Sequence, residues 1–286
     1  ISATTTDENK DKNYKKNKAE SSARKKGKGK NVSSRKSVCV FVSFVILLLA
    51  ITVYYLFPYL RTYALMLNAK YGNVEYPSAE VRGIDVSRYQ EEIDWDSLKV
   101  SDLQGVPVSF VFIKATEGKD IVDKYFKYNF YEARMNGVLR GAYHFYSTLS
   151  SAKEQADFFC RTVQLEEGDL PPVLDVETIG NLTKEQLQSE LKIWLNIVEN
   201  YYKIKPIIYS SYSFYKDKLD NSAFDSYPRW IAHYYIDSLR YDGDWHFWQH
   251  TDYGKVGGVD GFVDVNLFNG TYAELLDMTI QPKGRM

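Results

Sequence analysis

The sequence predicts an α/β fold, an irregular (β/α)5β3 TIM-like barrel, preceded by one transmembrane helix. Three observations predict it. From Val81 onward, five apolar strand-like runs alternate with helical stretches. Three more strand-like runs follow, separated by Gly- and Asp-rich stretches too short for amphipathic helices. Polar residues recur where the apolar runs stop, as at the C-terminal rim of a barrel. An open doubly wound sheet is the competing architecture, but no G-x-G-x-x-G follows the first strand, so dinucleotide binding has no support.

The 286 residues carry a net charge of −1, which hides an asymmetry. Residues 1–37 hold twelve Lys/Arg against four Asp/Glu, while the remainder holds 24 against 33. A basic tail precedes an acidic body, and an acidic body argues against nucleic acid as a partner. The tail has almost no apolar residues and is expected to be disordered and cytoplasmic.

Val38–Phe57 follows, twenty residues without a charge. As a helix it spans roughly 30 Å, the thickness of a bilayer core. Tyr54, Tyr55 and Tyr59 gather at its far end, as at a membrane interface. The length of the basic region and the lack of a clear A-x-A site favour an uncleaved signal anchor over a signal peptide. The Lys/Arg cluster then stays in the cytoplasm and the body lies outside, in the periplasm or at the cell surface. Residues 58–80 form a linker in which 62–70 can continue the membrane helix before Gly72, Asn73 and Pro77 break it. The body is expected over 81–275, with a C-terminal tail over 276–286.

The body begins with a strand over 81–87 and a short helix or turn over 93–98. The run 108–114, Val-Ser-Phe-Val-Phe-Ile-Lys, is nearly all apolar, which marks a strand buried on both faces in a parallel sheet. Residues 123–136 form a helix with Phe126, Phe130 and Ala133 on one face, stopped by Gly137. The third strand spans 138–146, and Ser151 with Glu154 makes a capping box for the next helix. Residues 171–177 give the fourth strand, and Thr183 with Gln186 caps a further helix with Leu187, Leu191, Trp194 and Val198 inward. The remaining strands fall at 206–209, 229–233, 245–249 and 262–265.

Asp175 and Glu177 lie two apart on the fourth strand, so they share a face. Two close carboxyls repel, and Asp175 is expected to raise the pKa of Glu177. Such a pair suits glycoside hydrolysis, which needs one protonated and one ionised carboxyl. The bland alternative is a strand end with two solvated acids. The other strand ends offer Asp85, Glu117, His144, Tyr146, Tyr209, His233, Gln249 and Asp264. Acids and amides beside aromatic rings make a sugar cleft, and Trp230 on the sixth strand is counted with them. His246 and His250 would stand about 13 Å apart along a strand, so no metal site is expected, and no cofactor. Cys160, in Phe158-Phe159-Cys160, reads as a buried, inert thiol.

Seven stretches in order resemble glycoside hydrolase family 25, the muramidases or lysozymes of peptidoglycan. They are Gly83-Ile84-Asp85-Val86-Ser87 with Gln90, Phe110 to Gly118, Gly141 to Phe145, Leu174 to Glu177, Trp230-Ile231-Ala232, Trp248 to Thr251 and Val263 to Asn266. The resemblance implies an irregular (β/α)5β3 barrel, peptidoglycan glycan strands as substrate, Glu177 as general acid, and Asp85, Asp175 and Asp264 as further active-site carboxylates. Carboxyls at i and i+2 of a strand have Cα atoms about 6.5–7 Å apart, between the retaining and inverting separations, so the stereochemistry stays open. A non-catalytic glycan-binding barrel is the alternative function, and a monomer is expected.

Overall fold

A computed structural model describes residues 7–282 apart from 75, 240 and 242, and only the backbone of 7–14, 19 and 21–34. The chain divides into two compact units, Ile1–Arg61 and Thr62–Met286. The first unit consists of helix α1, Asp7–Lys70, whose last turns belong to the second. Its stretch Arg35–Lys70 is long and apolar enough to cross a membrane, and the side chains from Val38 to Leu60 are exposed.

One expectation is corrected along α1. The tail expected to be disordered is helical from Asp7, and the helix runs on to Lys70. Lys, Ala, Glu and Arg are good helix formers, and a helix extended from a formed segment needs no new nucleus. Residues 1–6 of that tail lie outside the described residues.

The second unit is a closed eight-stranded barrel. Its strands are β1 (Val81–Val86), β2 (Val106–Glu117), β3 (Leu139–Phe145), β4 (Val173–Asp175), β5 (Ile207–Ser211), β6 (Arg229–Ala232), β7 (Phe247–Gly254) and β8 (Val263–Phe268). β1 to β7 pair in parallel in chain order. β8 closes the ring between β7 and β1, antiparallel to both. That reversal was not foreseen, and it brings the start of β8 to the rim where the other strands end.

Helices α2 (Trp95–Leu98), α3 (Phe126–Met135), α4 (Ala152–Thr162) and α5 (Lys184–Tyr202) cover the first part of the sheet. Capping boxes at Ser151 and Thr183 start α4 and α5, satisfying backbone N–H groups that the helix leaves free. Among the described residues no helix separates β6 from β7 or β7 from β8. Helix α6, Tyr272–Asp277, follows β8, and Ile280 N–H donates to Asp169 O at 2.8 Å. The tail expected from 276 is therefore packed as far as Ile280, and 283–286 lie outside the described residues.

Strand alternation sorts the core into two layers. Val111, Ile113, Leu174, Trp194 and Ile231 fill the space between sheet and helices. Phe110, Phe112, Val173, Ile207, Trp230 and Phe247 fill the barrel itself. Phe112 stacks on Trp230 with centroids 4.5 Å apart. Gly83 makes room for this filling, since a Cβ there would lie 2.5 Å from the Phe110 ring.

Candidate active site

Four carboxyls come to the rim along inward-facing strand positions. Asp85, near the end of β1, is paired directly with Asp264 near the start of β8. Asp175, at the end of β4, is paired with Phe145 and Tyr209 on the neighbouring strands. Glu177 stands just beyond it. On β4 the inner parity is Val173, Asp175, Glu177, whereas Leu174 and Val176 pack in the outer layer.

Asp85 is 6% exposed and holds two amide donors on one oxygen. Gln249 Nε2 and Asn266 Nδ2 each donate to Asp85 Oδ2 at 2.7 Å. Both amides are themselves oriented. Tyr209 Oη and Tyr234 Oη donate to Gln249 Oε1 at 2.7 and 2.6 Å, and Trp230 Nε1 donates to Asn266 Oδ1 at 2.7 Å. An amide whose oxygen is held by O–H or N–H donors must turn its NH2 toward the carboxylate.

Burial raises the Asp85 pKa to about 6, opposed by the Asn266 and Gln249 hydrogen bonds. Burial, and then the charge of Asp85, push Asp264 higher, to about 9. The two carboxyls share a hydrogen bond, so Asp264 keeps the proton and donates it to the Asp85 anion.

Asp175 is raised well above the ordinary carboxylate range, first by burial and then by repulsion from Glu177. Its Oδ1 is buried without a hydrogen-bond partner. Glu177 is exposed at the lip, yet protein on its other sides raises its pKa, opposed by Lys114. The expected cause is thus corrected: burial lifts Glu177, and the repulsion falls on Asp175, the more buried member. Lys114 lies over the Phe145 ring at 4.5 Å and its Nζ meets Glu117 Oε2 at 2.7 Å.

Several expected contacts face elsewhere. His144 is 0% exposed on the outer parity of β3, with Nδ1 at 2.7 Å from Thr116 Oγ1 and Nε2 at 3.0 Å from Gln155 Oε1 on α4. It ties sheet to helix, and both nitrogens are used. Tyr146 lies buried in the same outer layer. His233 stacks on Tyr212 at 4.6 Å, on the parity of the outward-facing Ile231. Trp230 faces inward but is buried, so it orients Asn266 from below instead of offering a ring face. Cys160 is buried, with its thiol pushed up to about 12 by burial, so it makes no nucleophile.

Asn266, Tyr234, Tyr143 and Lys114 were missed as site residues. Tyr143 lies on the inner parity of β3, its phenol raised by burial and by the charges of Asp85, Asp175 and Asp264. The signal was strand parity. Asn266 follows Asp264 by two, and Tyr143 precedes Phe145 by two.

Holding protonated and anionic carboxyls together at one rim costs a fold stability and suits acid-assisted cleavage of a glycosidic bond. Barrel and rim together define a glycoside hydrolase. The model of glycosyl hydrolases family 25 matches residues 84–259, and the chain belongs to that family. It is 48% identical over 201 residues to YegX, an uncharacterized protein of Escherichia coli K12, across 69% of this chain and 73% of that one. It is 35% identical over 211 residues to lysozyme M1 of Streptomyces globisporus, across 68% of this chain and 70% of that one. A bacterial lysozyme structure from Streptomyces coelicolor matches with a TM-score of 0.64 at 32% identity, over 71% of this chain and 98% of its own. A family 25 glycosyl hydrolase from Bacillus anthracis matches with a TM-score of 0.64 at 33% identity, over 72% and 96%.

Proposed function

We propose that the chain is a muramidase, hydrolysing the β-1,4 bond between N-acetylmuramic acid and N-acetylglucosamine in peptidoglycan. The observation that carries this reading is the pair Asp175 and Glu177, one buried and one exposed at the rim, both raised in pKa. The lysozymes among its relatives supply the substrate class.

In this reading Glu177 is the general acid. It faces solvent, where a leaving-group oxygen can reach its proton. Once it has donated, Lys114 stabilises the carboxylate left behind. The Asp85 anion, held by Gln249, Asn266 and the Asp264 proton, favours the positive charge that develops on the sugar ring. Asp175 supports the acid from the floor of the site. The twelve Lys/Arg before the apolar helix favour an inside N-terminus and an extracytoplasmic barrel, acting as a monomer on the wall.

The test is incubation of the full chain, in detergent, with purified peptidoglycan, and identification of new reducing ends by mass spectrometry. Reducing-end N-acetylmuramic acid from wild type, absent with Glu177→Gln, is expected. Equal turnover by Glu177→Gln overturns the acid assignment. Glycan binding without cleavage by wild type points instead to a non-catalytic barrel.

A further inference from the structure

Residues 71–80, which lead out of α1, are fastened to the barrel beside β7. The Tyr76 ring meets His250 of β7 edge-on at 5.5 Å. Arg82 Nη2 donates to Pro77 O at 2.9 Å, and Gln104 Nε2 donates to Val74 O at 3.1 Å. Between these residues, the last turns of α1 and β7 lies a cavity of about 180 Å³. Leu65, Ala69, Val74 and Ile236 line it with apolar side chains, and His250 and Thr251 line it from β7.

The backbone of β7 explains why two neighbouring residues reach one cavity. Gln249 pairs with Asn266 and Thr251 pairs with Val265, so His250 is an extra residue, a β-bulge. In an unbroken strand His250 and Thr251 would face opposite ways. The bulge lets both line the cavity, while Gln249 reaches Asp85 on the inner side. The strand thus stands between this cavity and the carboxylates.

His250 is 3% exposed, and its Nε2 is buried without a hydrogen-bond partner. An unpaired buried polar atom destabilises a fold, and a phenylalanine would fill the same place without that loss. Burial, and then the Arg82 charge, push the His250 pKa down to about 3, so the ring is neutral. A neutral imidazole has one N–H and one bare nitrogen, and a hydroxyl can pair with either. Arg82 disfavours a cation beside the ring, and Asp237 in the cavity wall disfavours an anion. A cavity of about 150 Å³ holds benzene, so one six-membered ring fits here.

We propose that this cavity binds a small neutral molecule with an apolar ring and one hydroxyl, a phenol or a cyclic alcohol, whose hydroxyl pairs with the His250 imidazole. The apolar walls from α1, residue 74 and residue 236 take the ring. The bound molecule ties the last turns of α1 to β7, the strand that presents Gln249 to Asp85. The site does not depend on the reaction at the rim.

The test uses the full chain in detergent, with nitrogen labels in its four histidines. Phenol is the probe and toluene its isostere without the hydroxyl, each dialysed to a fixed free concentration against a detergent blank. Phenol is expected to shift the His250 nitrogen signals saturably and to raise the unfolding midpoint. Loss of those signals in His250→Phe assigns them. Toluene should bind about fivefold more weakly, as for one hydrogen bond, and His250→Phe should abolish the difference in midpoint shift. Ala69→Leu and Val74→Phe fill the cavity from two sides, and each should weaken phenol binding by about tenfold or more while keeping a cooperative melt. His250 signals unmoved by millimolar phenol overturn the proposal. So does equal affinity for phenol and toluene, or phenol binding that both filled variants retain.

Discussion

Gln249 Nε2 donates to Asp85 Oδ2 at 2.7 Å, joining residues 164 positions apart. Asp85 is held by an amide that two tyrosines have already turned, so in the proposed mechanism its charge would act with little reorganisation.

Removing that amide should act on Asp85 twice. Gln249→Leu takes away a donor and one of the interactions that lower the Asp85 pKa. A hydrogen bond to a charged group contributes about 1.5–3 kcal/mol, so kcat/KM on peptidoglycan should fall about 10- to 100-fold. The acid limb of the pH–rate profile should move upward. Tyr209→Phe should cost less, because Tyr234 still holds Gln249 Oε1. Equal losses in the two variants would count against the relay.

Lys114 should set the basic limb. A positive charge lowers the Glu177 pKa, so Lys114→Met raises it further. Glu177, the proposed general acid, then keeps its proton to higher pH. The basic limb of kcat/KM should move to higher pH. A downward or absent shift contradicts the placement of Lys114 beside the acid.

The proton on Asp264 should make the site costly to stability at neutral pH. Its folded pKa is about 9, raised by burial and by Asp85, against about 3.9 in the unfolded chain. A raised folded pKa contributes stability below the unfolded value, and that stability is lost as pH rises toward the folded one. Asp264→Asn does not titrate and still offers N–H donors to Asp85. Its unfolding free energy should exceed wild type by about 1–2 kcal/mol at pH 7, with the advantage growing from pH 4 to 9. Denaturant melts across that range decide it.

Two buried histidines should weaken the barrel in acid. Burial lowers His144 to about 4 and His250 to about 3. The unfolded chain takes up these protons near pH 6.5 and the folded one does not, so their contribution is lost as pH falls from about 6.5 toward 4. The slope from both approaches about 2.7 kcal/mol per pH unit. Their imidazoles should stay neutral at pH 5 in nitrogen chemical shifts. A protonated His144 at that pH would contradict its place between sheet and helix.

Much of the site was legible because strand chemistry is local. Asp175 and Glu177 share a face through the two-residue repeat, and the capping boxes at Ser151 and Thr183 are satisfied within four residues. His144 on β3 and Tyr146 just after it were expected at the rim, because both parities of this stretch carry rings. His144 and Tyr146 meet the helix layer, while Tyr143 and Phe145 turn to the rim. Nothing within the stretch 143–146 says which face the barrel encloses.

The sequence by itself determined the order of strands and helices, the apolar helix before them, and the carboxylates that reach the rim. Each follows from periodicity, capping or composition over a few residues. Only the tertiary structure decided that β8 runs antiparallel, which sets Asp264 beside Asp85. It also decided that Gln249, Asn266, Tyr209 and Tyr234 converge on that pair. The reason is physical: a proton is placed by burial and by charges drawn from strands far apart in the chain, and those distances exist only once the barrel is closed.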